Sequence, residues 1–258
     1  FGWSRPFRPT LPPPALLALL DTAGALERSP GGLLRSAVRF SSAAAALFAH
    51  SAYPTVEADA VFFGPDTYRF LALLACEVKG AHRAVDVGCG SGAGGLSLLG
   101  RVERVVLADV SARALRFAAV NAALAGAGPA VELCESDVLA GGSGAFDLVV
   151  ANPPYLVDER RRTYRDGGGA LGLALSLRIA REALDRLAPG GRLVLYTATP
   201  IIDGEDLLRA ALVPILAGAA EVSYRELDPD VFGEELDRPA YRRTDRLAVV
   251  ALACHKAA

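Results

Sequence analysis

The sequence predicts an α/β fold, a doubly wound and mostly parallel sheet preceded by a small, mainly helical N-terminal extension. Two observations predict it. From about residue 65 onward, short apolar runs alternate with longer stretches of helical character, the rhythm of βαβ units. One of those runs also ends in a glycine-rich loop that opens into a helix, which puts a ligand site at the carboxyl ends of the strands.

The stretch up to about Pro14 is rich in proline and arginine and reads as an extended arm. Residues 15–50 carry apolar positions at helical spacing: Leu16, Leu17, Leu19 and Leu20, and later Ala44 to Phe48. Alanine and leucine favour helix, so a small helical unit is expected there, broken at Pro30-Gly31-Gly32. Thr55–Phe63 alternates partly and reads as a strand leading onward. The expected division is an arm with a small helical or β-hairpin unit over 1–64, then one larger domain over 65–258.

Within that domain Arg83–Gly88, Arg104–Asp109, Val131–Glu135, Asp147–Ala151 and Arg192–Ala198 are near-continuous apolar runs. Such runs suit strands buried on both faces of a parallel sheet. Ser111–Ala125 opens on a capping serine and stops before Gly126, and Ala170–Leu187 stops before Pro189-Gly190-Gly191. Both read as helices.

Composition narrows the function classes. A chain of 258 residues, 52% hydrophobic, suffices for one large domain with an appendage. With 27 basic and 29 acidic side chains, the net charge of -2 excludes bulk nucleic-acid binding and leaves only a local patch for such contacts. Cys76, Cys89, Cys134 and Cys254 form no CxxC pair and do not cluster with the histidines, so neither a disulfide framework nor a metal site is expected. A reducing, cytoplasmic setting fits that usage. No apolar run is long enough to span a membrane. The chain lacks an initiator methionine, and residues upstream of Phe1 are expected to be missing. Nothing in the sequence bears on oligomeric state.

The loop Val85-Asp86-Val87-Gly88-Cys89-Gly90-Ser91-Gly92 lets the backbone turn sharply and approach a ligand without an intervening Cβ. Dinucleotide-binding folds use a similar loop. Three features favour S-adenosylmethionine over NAD. Asp86 sits two residues before Gly88, where a carboxylate can face a cationic amino-acid moiety. Asp109, followed by Val110, closes the second strand, where a carboxylate can accept ribose hydroxyls. Ser136-Asp137-Val138 follows the third strand, where a polar, an acidic and an apolar residue can bind an adenine edge and cover its face.

Asn152-Pro153-Pro154-Tyr155 stands directly after the apolar run Phe146–Ala151. Two prolines fix φ and supply no N–H, leaving backbone carbonyls free to accept beside the asparagine oxygen. An amide or exocyclic amino group needs two such acceptors, with its nitrogen aimed at the transferring methyl. Accepting both hydrogens helps a nitrogen whose lone pair is delocalised, and Tyr155 can stack on its planar group.

Together these motifs resemble class I S-adenosylmethionine-dependent methyltransferases over roughly residues 65–255. The resemblance implies a seven-stranded Rossmann-like methyltransferase sheet and a cofactor site built from Asp86, Gly88, Cys89, Gly90, Gly92, Asp109, Val110, Ser136, Asp137, Val138 and Asn152. The tetrapeptide is similar to the signature of release-factor glutamine methyltransferases and of amino-methyltransferases acting on adenine or guanine. It implies Asn152, Pro153, Pro154 and Tyr155 as the catalytic group. Gly64-Pro65-Asp66-Thr67 looks like the glutamine branch's Pro–acid–Thr segment and adds Thr67 to the cofactor set. Gly168-Gly169-Ala170-Leu171-Gly172-Leu173 looks like its glycine-rich segment. Two departures bear on the substrate: Leu171 stands where that branch has an acid, and Gly64-Pro65 stands where it has Arg–Pro.

The leading expectation is N-methylation of a protein glutamine. The alternatives are an amino group of a nucleobase in RNA or DNA, a small metabolite, and a non-catalytic cofactor-binding scaffold. Arg160-Arg161-Arg162 with Arg165 would serve RNA phosphates or an acidic partner, or stand as a solvated loop. The acid-rich Asp228–Asp237, which includes Phe232, reads as a surface excursion or a lid.

Overall fold

The computed structural model describes residues 2–257; Phe1, the first residue of the expected arm, and Ala258 lie outside the described residues. The N-terminal unit contains α1 (Pro14–Thr22), β1 (Leu26–Ser29), β2 (Leu33–Ser36), β3 (Val38–Ala43) and β4 (Ala46–Ser51). The larger domain follows with α2 (Pro65–Glu77), β5 (Ala81–Val87), α3 (Ala93–Leu96), β6 (Val102–Asp109), α4 (Ala112–Leu124), β7 (Val131–Glu135) and β8 (Phe146–Ala151). It ends with α5 (Ala174–Arg186), β9 (Leu187–Ile202), β10 (Glu205–Asp206), α6 (Leu207–Leu212), β11 (Ala219–Asp228) and β12 (Arg246–Lys256).

The central sheet runs β11-β12-β9-β8-β5-β6-β7, with the short β10 paired to β9. β5 through β9 pair in parallel, while β12 runs antiparallel to both β9 and β11. Burial on both faces explains the near-continuous apolar runs of the inner strands, whereas Val131–Glu135, expected to be buried in the same way, is the partly exposed edge strand β7. Ala84, Val105, Leu107 and Val150 pack with Phe70, Leu74, Leu96 and Ala118 of α2, α3 and α4. Their sequence neighbours Val85, Val106 and Val149 pack with Ile179, Ala183 and Leu208 of α5 and α6. From β5 the chain proceeds outward to β6 and β7, then returns to β8 on the other side of β5. That reversal opens a crevice above the carboxyl ends of β5 and β8.

The N-terminal unit departs from the mainly helical reading and takes the β-hairpin alternative. α1 forms, with proline in its first turn, but residues 26–51 make two β-hairpins where helix was expected. Ala44 and Ala45 take φ of +48° and +64° to turn β3 into β4, which carries Phe48 and Ala49 into the core beside α4. Alanine's helix preference is a fraction of a kcal/mol per residue. Burying one phenylalanine is worth about 1.5–3 kcal/mol, so packing decides. Thr55–Phe63 is not a strand but an irregular strap; it buries Ala60, Val61 and Phe63, and Val61 exchanges hydrogen bonds with Ser51. The helix expected from Ala170 starts at Ala174, because glycine turns occupy the preceding residues.

Among the described residues no helix is long and apolar enough to cross a membrane, and no group of three or more His, Cys, Asp or Glu side chains is arranged to hold a metal ion.

Candidate active site

The loop from Gly88 to Gly92 joins β5 to α3, and Gly88, Gly90 and Gly92 have φ of +68°, +54° and +79°. That backbone costs an L-residue about 1–2 kcal/mol, so glycine is favoured at each turn. Gly88 and Gly90 face the crevice. Gly92 does not: a Cβ there would meet Leu107, Leu96 and Ala118, so this expected cofactor residue instead lets α3 pack onto the sheet.

Asp86, the last residue but one of β5, is almost fully buried and its Oδ2 accepts the Gly95 N–H at 2.7 Å. Burial pushes its carboxyl up to about 7 against the pull of that hydrogen bond, and the charge of Asp109 adds to the rise. Asp109 braces the loop from the next strand. Its Oδ2 accepts from the Gly90 N–H at 2.9 Å and its Oδ1 from the Ser111 N–H at 2.8 Å. Each oxygen keeps a further acceptor position, so the same carboxylate can take hydroxyl donors from a ligand. After β7, the Ser136 hydroxyl is committed to its own turn, donating to the Val138 carbonyl and accepting from the Gly141 N–H. The Asp137 carboxylate reaches Arg178 of α5 at 2.7 Å. Val138 is buried at φ +55° beside the crevice.

Asn152, Pro153, Pro154 and Tyr155 follow β8 and line the same cavity as Asp86, Gly88, Cys89, Gly90 and Asp109. Asn152 is half-buried and Tyr155 is buried. The cavity thus joins the carboxylates of Asp86 and Asp109, among others, with a glycine cradle and the acceptor-rich tetrapeptide.

The model of the methyltransferase small domain family matches residues 67–215. The chain belongs to that family. It is 37% identical over 155 residues to a release factor glutamine methyltransferase of Deinococcus radiodurans, covering 55% of each chain. To a tRNA1(Val) (adenine(37)-N6)-methyltransferase of Aeromonas hydrophila it is 34% identical over 133 residues, covering 49% of this chain and 56% of that one. The chain spans about half the length of these curated relatives. Among solved structures, a T. thermophilus 16S rRNA N2 G1207 methyltransferase, in complex with AdoMet and guanosine, superposes with a TM-score of 0.53 at 18% identity; the match covers 90% of this chain and 57% of that one. That likeness is one of fold.

The end of the cavity beside the tetrapeptide is shaped from behind by the glycine segment. A Cβ on Gly172, at φ +79°, would lie 2.3 Å from the Tyr155 carbonyl oxygen, and one on Gly167 would lie 2.7 Å from the Tyr155 Cα. The segment therefore sets where Tyr155 sits. Asp66 and Thr67 at the start of α2 also line the cavity. Asp66 accepts from the Tyr196 hydroxyl at 2.8 Å, and Thr67 Oγ1 accepts from the Gly64 N–H at 3.3 Å. Burial, then the nearby Asp66 charge, pushes the Tyr155 phenol up, so it stays protonated.

The arginine run is divided. Arg162 pairs with Asp158 at 2.6 Å, which holds that carboxyl down to about 2, and Arg165 pairs with the buried Glu235. Only Arg160 and Arg161 remain exposed. The sequence reading missed several residues that line the cavity, Phe62, Tyr164, Leu175 and Ile179; Phe232, read as part of a surface excursion or a lid, lines it too. Phe232 stands at φ +54° with its ring centroid 6.1 Å from that of Tyr155. A lone aromatic in an acid-rich stretch was the available signal.

Proposed function

We propose that this chain is an S-adenosylmethionine-dependent N-methyltransferase whose acceptor is a planar, NH-bearing nitrogen, foremost the side-chain amide of a protein glutamine. The observation that carries the reading is the convergence of Asn152-Pro153-Pro154-Tyr155 with Asp86, the glycine loop and Asp109 on one cavity. The residues present fit the cofactor. The paired positive-φ glycines admit close backbone approach, the buried Asp86 suits a cationic amino-acid moiety, and Asp109 has acceptor capacity left for ribose hydroxyls. Val110, Asp137 and Val138 are the adenine side, and Thr67 is the methionyl side. S-adenosylmethionine supplies an electrophilic methyl group on a sulfonium.

The chain's part is orientation. The Asn152 side-chain oxygen and the Pro153 carbonyl accept the two acceptor N–H bonds, which points the nitrogen lone pair along the line of attack. Tyr155 packs on the planar group. As the N–C bond forms and the methyl–sulfur bond breaks, its electron pair staying on what becomes a neutral thioether, positive charge grows on the nitrogen and those two acceptors stabilise it; one proton then leaves to solvent.

The glutamine assignment is supported by several curated relatives named release factor glutamine methyltransferase and by the glycine segment behind Tyr155. The specific observation that favours the second reading, a nucleobase amine, is the set of rings around the cavity: Phe62, Tyr155, Tyr164 and Phe232. The test offers S-adenosylmethionine with release-factor glutamine peptides and, separately, with RNA. A methylated glutamine in the peptide mass spectrum is the expected result. Methylated nucleosides with untouched peptides would transfer the assignment to the second reading, and no transfer to either from the cofactor-bound protein would overturn both.

A further inference from the structure

Asn121 lies in the third turn of α4, 1% exposed, and makes three hydrogen bonds to main chain that is distant in sequence. Its Oδ1 accepts from the Ala49 N–H at 2.7 Å, and its Nδ2 donates to the Ala49 carbonyl at 2.9 Å and to the Ser91 carbonyl at 2.8 Å. Ala49 belongs to β4 of the N-terminal hairpin, and Ser91 belongs to the glycine loop. The amide thus treats β4 as a strand partner would, matching both its donor and its acceptor, and spends its remaining proton on the loop.

The same β6–α4 unit holds the loop at two successive residues. Asp109 takes the Gly90 N–H, and Asn121 gives to the Ser91 carbonyl. A loop with three positive-φ glycines has little intrinsic preference for one conformation. Its cofactor-ready shape must come from such external bonds. On its far side the hairpin continues through Ser51 into the strap, where Val61 stands beside Gly90 across the cavity.

We propose that Asn121 is a positioning residue for the cofactor, coupling the register of the N-terminal hairpin to the conformation of the glycine loop. The N-terminal unit is then part of the cofactor site although β3 and β4 do not line it. This inference rests on S-adenosylmethionine being the cofactor. Coupling of this kind between sites amounts to about 5- to 150-fold in affinity.

The first test is amide hydrogen exchange on the wild-type protein with and without S-adenosylmethionine. Protection is expected in the loop and also in residues 46–51, which do not line the cavity. Protection confined to cavity segments would overturn the proposal. The second test titrates S-adenosylmethionine into Asn121→Ala and Asn121→Asp, with the near-ultraviolet spectrum and melting curve checked alongside. Asn121→Ala is expected to weaken binding about tenfold or more. Asn121→Asp should be worse, because it sets an anionic oxygen against the Ala49 and Ser91 carbonyls. Folded variants that bind within twofold of wild type would overturn the coupling. If either variant fails to fold, the exchange measurement decides alone. Wild-type protein that binds no S-adenosylmethionine would instead sink the cofactor assignment, and this inference with it.

Discussion

Burial pushes the Asp86 carboxyl up to about 7, so the group is half protonated near neutrality, yet a cationic ligand moiety needs it ionised. Cofactor affinity is therefore expected to fall as pH drops below about 7, approaching about tenfold per unit, and to level off above it. Titration calorimetry from pH 5.5 to 8.5 checks this, and Asp86→Asn should bind weakly with a flat profile. The stability sign is opposite. A carboxyl whose folded value lies above its unfolded one favours the folded state at low pH, and that advantage is lost as pH rises through about 7. Asp86→Asn is thus expected to melt higher than wild type at pH 8, while at pH 4 the two should converge. At Asn152 the demand is directional. Asn152→Ala is expected to lower kcat by about 100-fold, the cost of one hydrogen bond made in the transition state, with cofactor affinity unchanged. Single-turnover rates beside a cofactor titration separate the two quantities. Retained turnover would move the acceptor site elsewhere.

At the scale of elements, legibility followed locality. β5, β6 and β8 could be read because burial on both faces leaves a continuous apolar run, and the cap and stop of α4 lie within its own sequence. Asp86, Asp109 and the tetrapeptide were legible for the same reason: each stands at a strand end that the pattern marks. The β3–β4 hairpin was not legible, since its alanines favour helix locally and become strand only by packing Phe48 and Ala49 against α4. Phe232 was legible as part of a lid or a surface excursion, but its packing beside Tyr155 was not, because that partner lies far away in sequence. Ser136 and Asp137 stand where the pattern put them, but the Ser136 hydroxyl serves its own turn and the Asp137 carboxylate meets Arg178. The glycine segment has a steric meaning that spacing alone could not supply. Gly172→Ala is expected to displace Tyr155, cutting kcat at least tenfold while cofactor affinity changes less than twofold, because its Cβ would strike the Tyr155 carbonyl. Steady-state kinetics paired with calorimetry tests it, and equal losses in both would mean a general collapse of the cavity.

For the whole molecule, a ligand that binds only the folded state raises stability by mass action. S-adenosylmethionine at 100 times its dissociation constant should contribute about 2.7 kcal/mol. In a chain of 258 residues that raises Tm by about 5 °C or more, and NAD at the same concentration should leave it unchanged. A melting curve reads both. The sheet that carries the site has a further property at its two flanks. It is open, so β7 and β11 each present unpaired backbone to solvent. β11 breaks register twice, between Ala220 and Ser223 and again between Glu226 and Asp228, and it carries Glu221 and Arg225. β7 alternates less, but Glu132 and Glu135 flank its exposed Leu133. Kinks and charges of this kind deny a neighbouring molecule a flat edge to zip onto. Glu132 thus guards the β7 edge against association, whereas Glu135 pairs in register with Asp109 and leads into Ser136 of the cavity. Replacing Glu132 with threonine should turn a well-behaved solution into one that scatters light on standing, with methyl transfer by the protein left in solution intact.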